Sequence, residues 1–282
     1  MTDRDAMLRA IAANPDDDTP RLIYADLLDE LGGAANTARA RFIRLQIETH
    51  QPADYDPPPA DSDHAPYLLD EREATARDRK RAETAQLANN HSGEWLKELP
   101  TWCNPMFGIV DRTRANLFAR GFVEQVTARA KLFALRAGEL FEKHPIRAIE
   151  LQGGSAKLVP SMLSRPELAR LRSLTFSWPD APSELACALA ECAGLSGLIH
   201  LDVSACGFGP PEVRTLAQSV CLPSLRKIRL GGALTPAAVR VLASSTKLGS
   251  LREIDLLACR PRVDGYDLRE EFPNKLFLSW NY

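Results

Sequence analysis

Apolar residues recur along the second half of the chain in a fixed pattern: Leu171, Leu174 and Phe176; Leu198, Leu201 and Val203; Leu225, Ile228 and Leu230; Leu251, Ile254 and Leu256. Within each set the last two alternate with polar residues, which is the period-two signature of a strand with one buried face. The sets begin 27, 27 and 26 residues apart, so each strand is the same part of a repeated unit. A helical pattern precedes each strand, as in Leu185, Leu189 and Ala190, then Val213, Leu216 and Ala217, then Val239, Leu242 and Ala243. These helices start at Pro182-Ser-Glu184, Pro211-Glu212 and Thr235-Pro236, where a capping side chain or a proline suits the first turn. Leu195, Leu222 and Leu248 then lead into the next strand, with a weaker copy at Met162 and Leu168. Backwards, Ile146, Ile149 and Leu151 fit the strand template, as do Val123, Val126 and Ala128. Forwards, Leu276 and Leu278 fill the second and third apolar slots of a degenerate last strand.

About seven strands are expected over residues 120–282. A lone strand–helix unit cannot bury its apolar side, so the pattern predicts an α/β fold of stacked units. The parallel sheet lies inside a curved solenoid and the helices outside. The unit length and the L-x-x-L-x-L strands resemble the leucine-rich repeat family. Cys206 and Cys259, ninth from Leu198 and Leu251, are similar to the Cys of its ribonuclease-inhibitor-like, cysteine-containing class. In that class, the resemblance implies, the ninth residue bonds the turn backbone. Gly154, Pro179 and Ala233 hold the position elsewhere, so the ladder is incomplete.

Residues 1–49 follow a different pattern. Thr2 and Asp5 cap a first helix with Leu8, Ile11 and Ala12 on one side, and Asn14-Pro-Asp-Asp-Asp18 breaks it. Thr19-Pro20 opens a second helix, whose Ile23, Leu27 and Leu31, widened by Tyr24 and Leu28, predict the buried face, and Gly32-Gly33 stops it. A third helix runs from about Ala35 to Glu48 and is expected to bury Ala38, Phe42 and Leu45. This small all-α module carries Asn14-Pro-Asp-Asp-Asp-Thr-Pro-Arg-Leu-Ile-Tyr-Ala-Asp-Leu-Leu-Asp-Glu30 and Arg41-Phe-Ile-Arg-Leu-Gln46. Those runs closely resemble the planctomycete repeat-companion domain, which implies pairing with a repeat region and assigns no biochemical role. Leu27 departs from the Trp usual there. Residues 50–66, with five prolines and four aspartates from Gln51 to Pro66, predict a flexible loop. Residues 67–119 predict a charged helix, an anchor of Trp95, Leu96 and Leu99, and an N-terminal cap on the solenoid.

The 282 residues are 45% apolar with a formal net charge of -2, which gives no bulk attraction to nucleic acid or an anionic membrane. No apolar run suggests a membrane span, and the acidic start carries no signal-peptide core, so a cytoplasmic monomer is expected. The six cysteines read as reduced core residues, and Cys187 and Cys192 are spaced for neither zinc nor redox chemistry. Asp16-Asp17-Asp18 lacks the alternating donors and distal Glu of a calcium loop. Asp26, Asp29 and Glu30 fit a solvated helix face better than acid–base work. Arg77–Arg81 holds four basic residues around one acid, with more carboxylates nearby, so no nucleic-acid partner is expected, and neither a metal nor a cofactor is.

The residues between the strand leucines carry the functional expectation. They include His200 and Asp202, Lys227 and Arg229, Glu253 and Asp255, and Phe277, on the concave side of the sheet. Opposite charges there either pair across strands and keep the sheet soluble or dock another protein, with Trp178, Phe208 or Phe277 as anchors. The reading is a non-enzymatic protein-binding module. A structural spacer and a cysteine-dependent hydrolase using His200 are the alternatives.

Overall fold

The computed structural model describes residues 2–49, 71–106, 114–178, 180–259 and 266–278, so the expected loop at 50–66 lies outside it. The chain divides into two compact units, Met1–Val126 with Gly138–Arg147, and Thr127–Ala137 with Ala148–Tyr282.

In the first unit, α1 (Asp3–Ala13), α2 (Thr19–Leu31), α3 (Ala34–Thr49) and α4 (Glu71–Trp95) pack in succession, followed by the short strand β1 (Cys103–Pro105). Thr2 and Asp5 form a reciprocal capping box at the start of α1. Gly32, at φ 66°, ends α2, a backbone state that glycine takes without strain. The buried face of α2 is Arg21, Tyr24, Ala25 and Leu28, whereas Ile23 and Leu31 stay exposed and Leu27 is half-buried. That corrects the expected stripe. A remote carboxylate decides the choice, because Arg21 Nη2 donates to Glu124 Oε1 at 2.7 Å and both side chains are buried. With its charge met, Arg21 can go inside beside Tyr24 and Leu28.

Arg120 joins the same carboxylate at 2.8 Å and also donates to the Pro15 carbonyl and, at 3.2 Å, to Asp18. Asp16 accepts from Arg147 Nη2, and Asp17 accepts from the Thr19 amide at 2.8 Å. Asp16 and Asp18 therefore bind arginines, and Asp17 meets the first amide of α2. Arg120 and Gly121 both take positive φ in a two-residue turn closed by Ala119 and Phe122. A Cβ on Gly121 would lie 2.4 Å from Ile43 Cγ1, so only glycine lets α3 approach this turn. Gln46 on α3 seals the contact by accepting from the Gly121 amide at 2.7 Å and donating to the carbonyls of Ala115 and Phe118.

Next to this contact, Arg39 is enclosed by aromatic rings, 4.5 Å from the Trp95 centroid and 5.3 Å from that of Phe118. Burial pushes its guanidinium down to about 10, which still leaves a cation at neutral pH for the rings to stabilise.

In the second unit, six strands lie in sequence order and pair in parallel: β3 (Ala148–Gln152), β4 (Ser173–Ser177), β5 (His200–Asp202), β6 (Lys227–Gly232), β7 (Glu253–Cys259) and β8 (Leu276–Leu278). The strand β2 (Gln125–Arg129) and the helix α5 (Ala130–Lys143) are each divided between the two units. Between the strands run α6 (Val159–Leu163), α7 (Pro182–Glu191), α8 (Pro210–Ala217), α9 (Pro236–Ala243) and α10 (Tyr266–Glu271). Helices α6 to α9 pack each against the next as a second layer.

Register aligns Ile149, Leu174, Leu201, Ile228, Ile254 and Phe277 in one buried column. These positions are 25, 27, 27, 26 and then 23 residues apart. The shortened last unit shifts β8 by one residue from the expected alternation, and a one-residue slip reverses every side chain. Phe277 thus enters the core and Leu276 and Leu278 align with the polar columns, which corrects the assignment of Phe277 to the concave face.

Two hydrogen-bond ladders tie consecutive units together. Cys206 Sγ donates to the Phe176 carbonyl at 3.4 Å and Cys259 Sγ to that of Leu230 at 3.7 Å, both thiols buried. At Gly154 the equivalent space is filled by the Trp178 ring, which an added Cβ would meet at 2.3 Å. The second ladder is made by Cys192, Ser219 and Ser245, which donate to the carbonyls of Leu163, Ala190 and Ala217. A Cβ on Gly231 would lie 2.0 Å from the Ser204 carbonyl oxygen, so β6 meets the turn after β5 there through backbone alone.

Glu124→Gln leaves two buried guanidiniums facing a neutral amide, and breaking a buried pair of this kind costs about 3–5 kcal/mol. Guanidinium-induced unfolding should show the loss in the first unit; an unchanged midpoint would contradict the role given to Glu124.

Candidate functional site on the strand face

Alternation along β3 to β7 sends every second side chain away from the buried column. Two polar columns result. One runs Ala148, Ser173, His200, Lys227 and Glu253; the other runs Glu150, Thr175, Asp202, Arg229 and Asp255. Six of the seven residues expected from the sequence are brought together here, and Phe277 is not. Phe208 and Trp178 are also buried, so none of the three aromatics is available as a surface anchor.

The charged residues engage one another across neighbouring strands. Arg229 Nε donates to Asp255 Oδ2 at 2.7 Å, and its Nη1 lies 3.5 Å from Asp202 Oδ2. Lys227 Nζ is 2.6 Å from Glu253 Oε1. Strand ends supply further donors: the Leu257 amide to Asp255, and the amide and hydroxyl of Ser204 to Asp202. Asp255 is fully enclosed, with one guanidinium and one amide meeting its charge, while the Arg229 side chain is 42% exposed. Glu150 accepts from Ser177 Oγ at 2.8 Å and Gln152 Nε2 at 2.9 Å. The face therefore offers polar groups already held in place, with Arg229 more open than Lys227. Ser177 and Ser204 stand just after Phe176 and Val203 of the strand pattern, but the pairing of Ser177 with Glu150 depends on the register between strands.

His200 Nδ1 is 3.1 Å from Ser173 Oγ, a serine–histidine pair, but Nε2 is buried and has no hydrogen-bond partner among the described residues. A general base needs its far nitrogen oriented by a third group, and this imidazole has none. Burial pushes His200 down to about 4, reinforced by Lys227 and Arg229 and opposed by Asp202. Two of the buried thiols are poor nucleophiles as well: burial raises Cys103 to about 11 and Cys206 to about 12.

Among the described residues no group of three His, Cys, Asp or Glu side chains is placed to hold a metal ion. No described helix is long and apolar enough to cross a membrane.

An imidazole held below its ordinary 6.5 contributes stability that is complete above about pH 6.5 and is lost as pH falls through about 4, because the unfolded chain takes up the proton first. Proton–carbon NMR of the His200 ring, assigned with His200→Asn, should give a midpoint near 4. A midpoint near 6.5 would mean that the ring is solvated, and would contradict the geometry.

The chain matches no protein-family profile and no curated protein.

Proposed function

We propose that the second unit is a leucine-rich-repeat solenoid of the ribonuclease-inhibitor-like kind, accompanied by an N-terminal repeat-companion module. Its role in this reading is non-enzymatic, to bind a partner protein through the strand face. The reading draws support from the six parallel strands in sequence order and from Cys206 and Cys259 bonding the preceding backbone. The observation that carries the binding role is the pair of polar columns set in register on β3 to β7, with Arg229 half-exposed between two carboxylates. A surface whose ions are prearranged loses little side-chain entropy on docking, and its charge pattern selects the partner.

A spacer role is the second reading. It is favoured by the same ion pairs, because a face whose charges satisfy each other needs no partner.

Thr175 separates the two readings. It is half-buried on β4, between Glu150 on β3 and Asp202 on β5. Thr175→Arg adds bulk and a cation that these carboxylates can hold, so the fold should persist while the centre of the face is blocked. Affinity capture from a native lysate with the wild type and this variant should lose a specific protein in the variant. Identical captures would favour the spacer.

A further inference from the structure

Helix α2 buries a charged residue and exposes apolar ones. Arg21 is fully inside, whereas Leu22, Ile23 and Leu31 are 39%, 48% and 59% exposed. With half-buried Leu27, the residues at 23, 27 and 31 form a continuous strip along one side of the helix, four residues apart and therefore about one turn from each other. Beside the strip stand Asp26 and Glu30, with Asp29 farther round the helix. Arg44 is the cation that meets Asp26 and Asp29, at 2.6 and 2.7 Å, and Glu30 makes no ion pair among the described residues. An apolar strip bordered by an excess of carboxylates fits an apolar surface that is itself bordered by cations.

Two nearer occupants fail on charge. The segment from Gln51 to Pro66 carries four aspartates and neither lysine nor arginine. A second copy meeting this strip across a twofold axis would set the carboxylates of one helix against those of the other.

We propose that the exposed side of α2 is a second docking surface, separate from the strand face, and that its partner is a basic amphipathic helix on another protein. Ile23, Leu27 and Leu31 take the apolar side of that helix. Asp26 and Glu30 take its lysines or arginines.

Fluorescence anisotropy of the full chain with three labelled peptides tests this. The first is a leucine–lysine amphipathic helix, the second the same helix with glutamate for lysine, and the third the first sequence scrambled. The leucine–lysine peptide should bind and the other two should not. Its affinity should fall about 10-fold or more in an Ile23→Ser, Leu31→Ser double variant. It should also fall in Glu30→Lys and stay unchanged in Thr175→Arg. All four substitutions are at positions with room at the surface, so an unchanged thermal midpoint in each variant confirms that the fold is intact. Equal affinity in the double variant, preference for the glutamate peptide, or no binding of the leucine–lysine peptide would each overturn the proposal. So would sedimentation velocity showing a dimer that the double variant dissolves, because the occupant would then be a second copy.

Discussion

The second unit depends on one constraint, which is that each parallel strand must meet the next at a fixed register with no room for a shift. Leucine, isoleucine or phenylalanine at every inward position fills one column from Ile149 to Phe277, and the backbone of β6 comes so close to Ser204 that Gly231 has no space for a methyl group. A slip of one residue would bury a row of charges and expose the column. The thiol and hydroxyl ladders reinforce the same spacing from outside the sheet, since each donor reaches a carbonyl 28 to 30 residues earlier. Because the register is held by the core, the outward columns are free to vary without disturbing it.

Charge is treated in two ways in this chain. In the first unit, Glu124 is enclosed between Arg21 and Arg120, and the N-terminal helices are held in place through arginines that reach the carbonyls and carboxylates of residues 15–18. Burial pushes the Glu124 carboxyl up while the two guanidiniums oppose it, so the cluster persists only as a whole. On the strand face Asp255 is enclosed but Arg229 is partly solvated, and it bridges carboxylates on both neighbouring strands. The first arrangement serves the fold, whereas the second leaves groups that another surface can meet.

How much was legible in the sequence follows from which interactions are local. Columns led by Leu174, Leu201, Ile228 and Ile254 could be read because the period-two alternation and the unit length both pointed to them. The last strand could not, because Leu276, Phe277 and Leu278 are all apolar and alternation says nothing about which of them faces in; the 23-residue final interval decided it. On α2 the pattern offered two apolar sides, and the choice between them rested on Glu124, 103 residues away from Arg21. Cys192, Ser219 and Ser245 left a readable trace, each standing three residues before Leu195, Leu222 and Leu248, but a donor ladder has no hydrophobic signature to draw attention to it. On β5 to β7 the polar residues could be read from the alternation, while the burial of Asp255 and the pairing of Ser173 with His200 required the strands to be set side by side.

If the stacked unit is the true element of this fold, a whole unit can be removed and the remainder will close up in register. Excising residues 198–224 joins the strand that begins at Leu225 to the return that ends at Gly197, and restores the same succession of strand and helix. Circular dichroism and thermal unfolding of that shortened chain test the account most directly. The account predicts a cooperative transition at a lower temperature, with helix and strand content per residue little changed. Loss of cooperative unfolding, with the second unit collapsed or disordered, would contradict it.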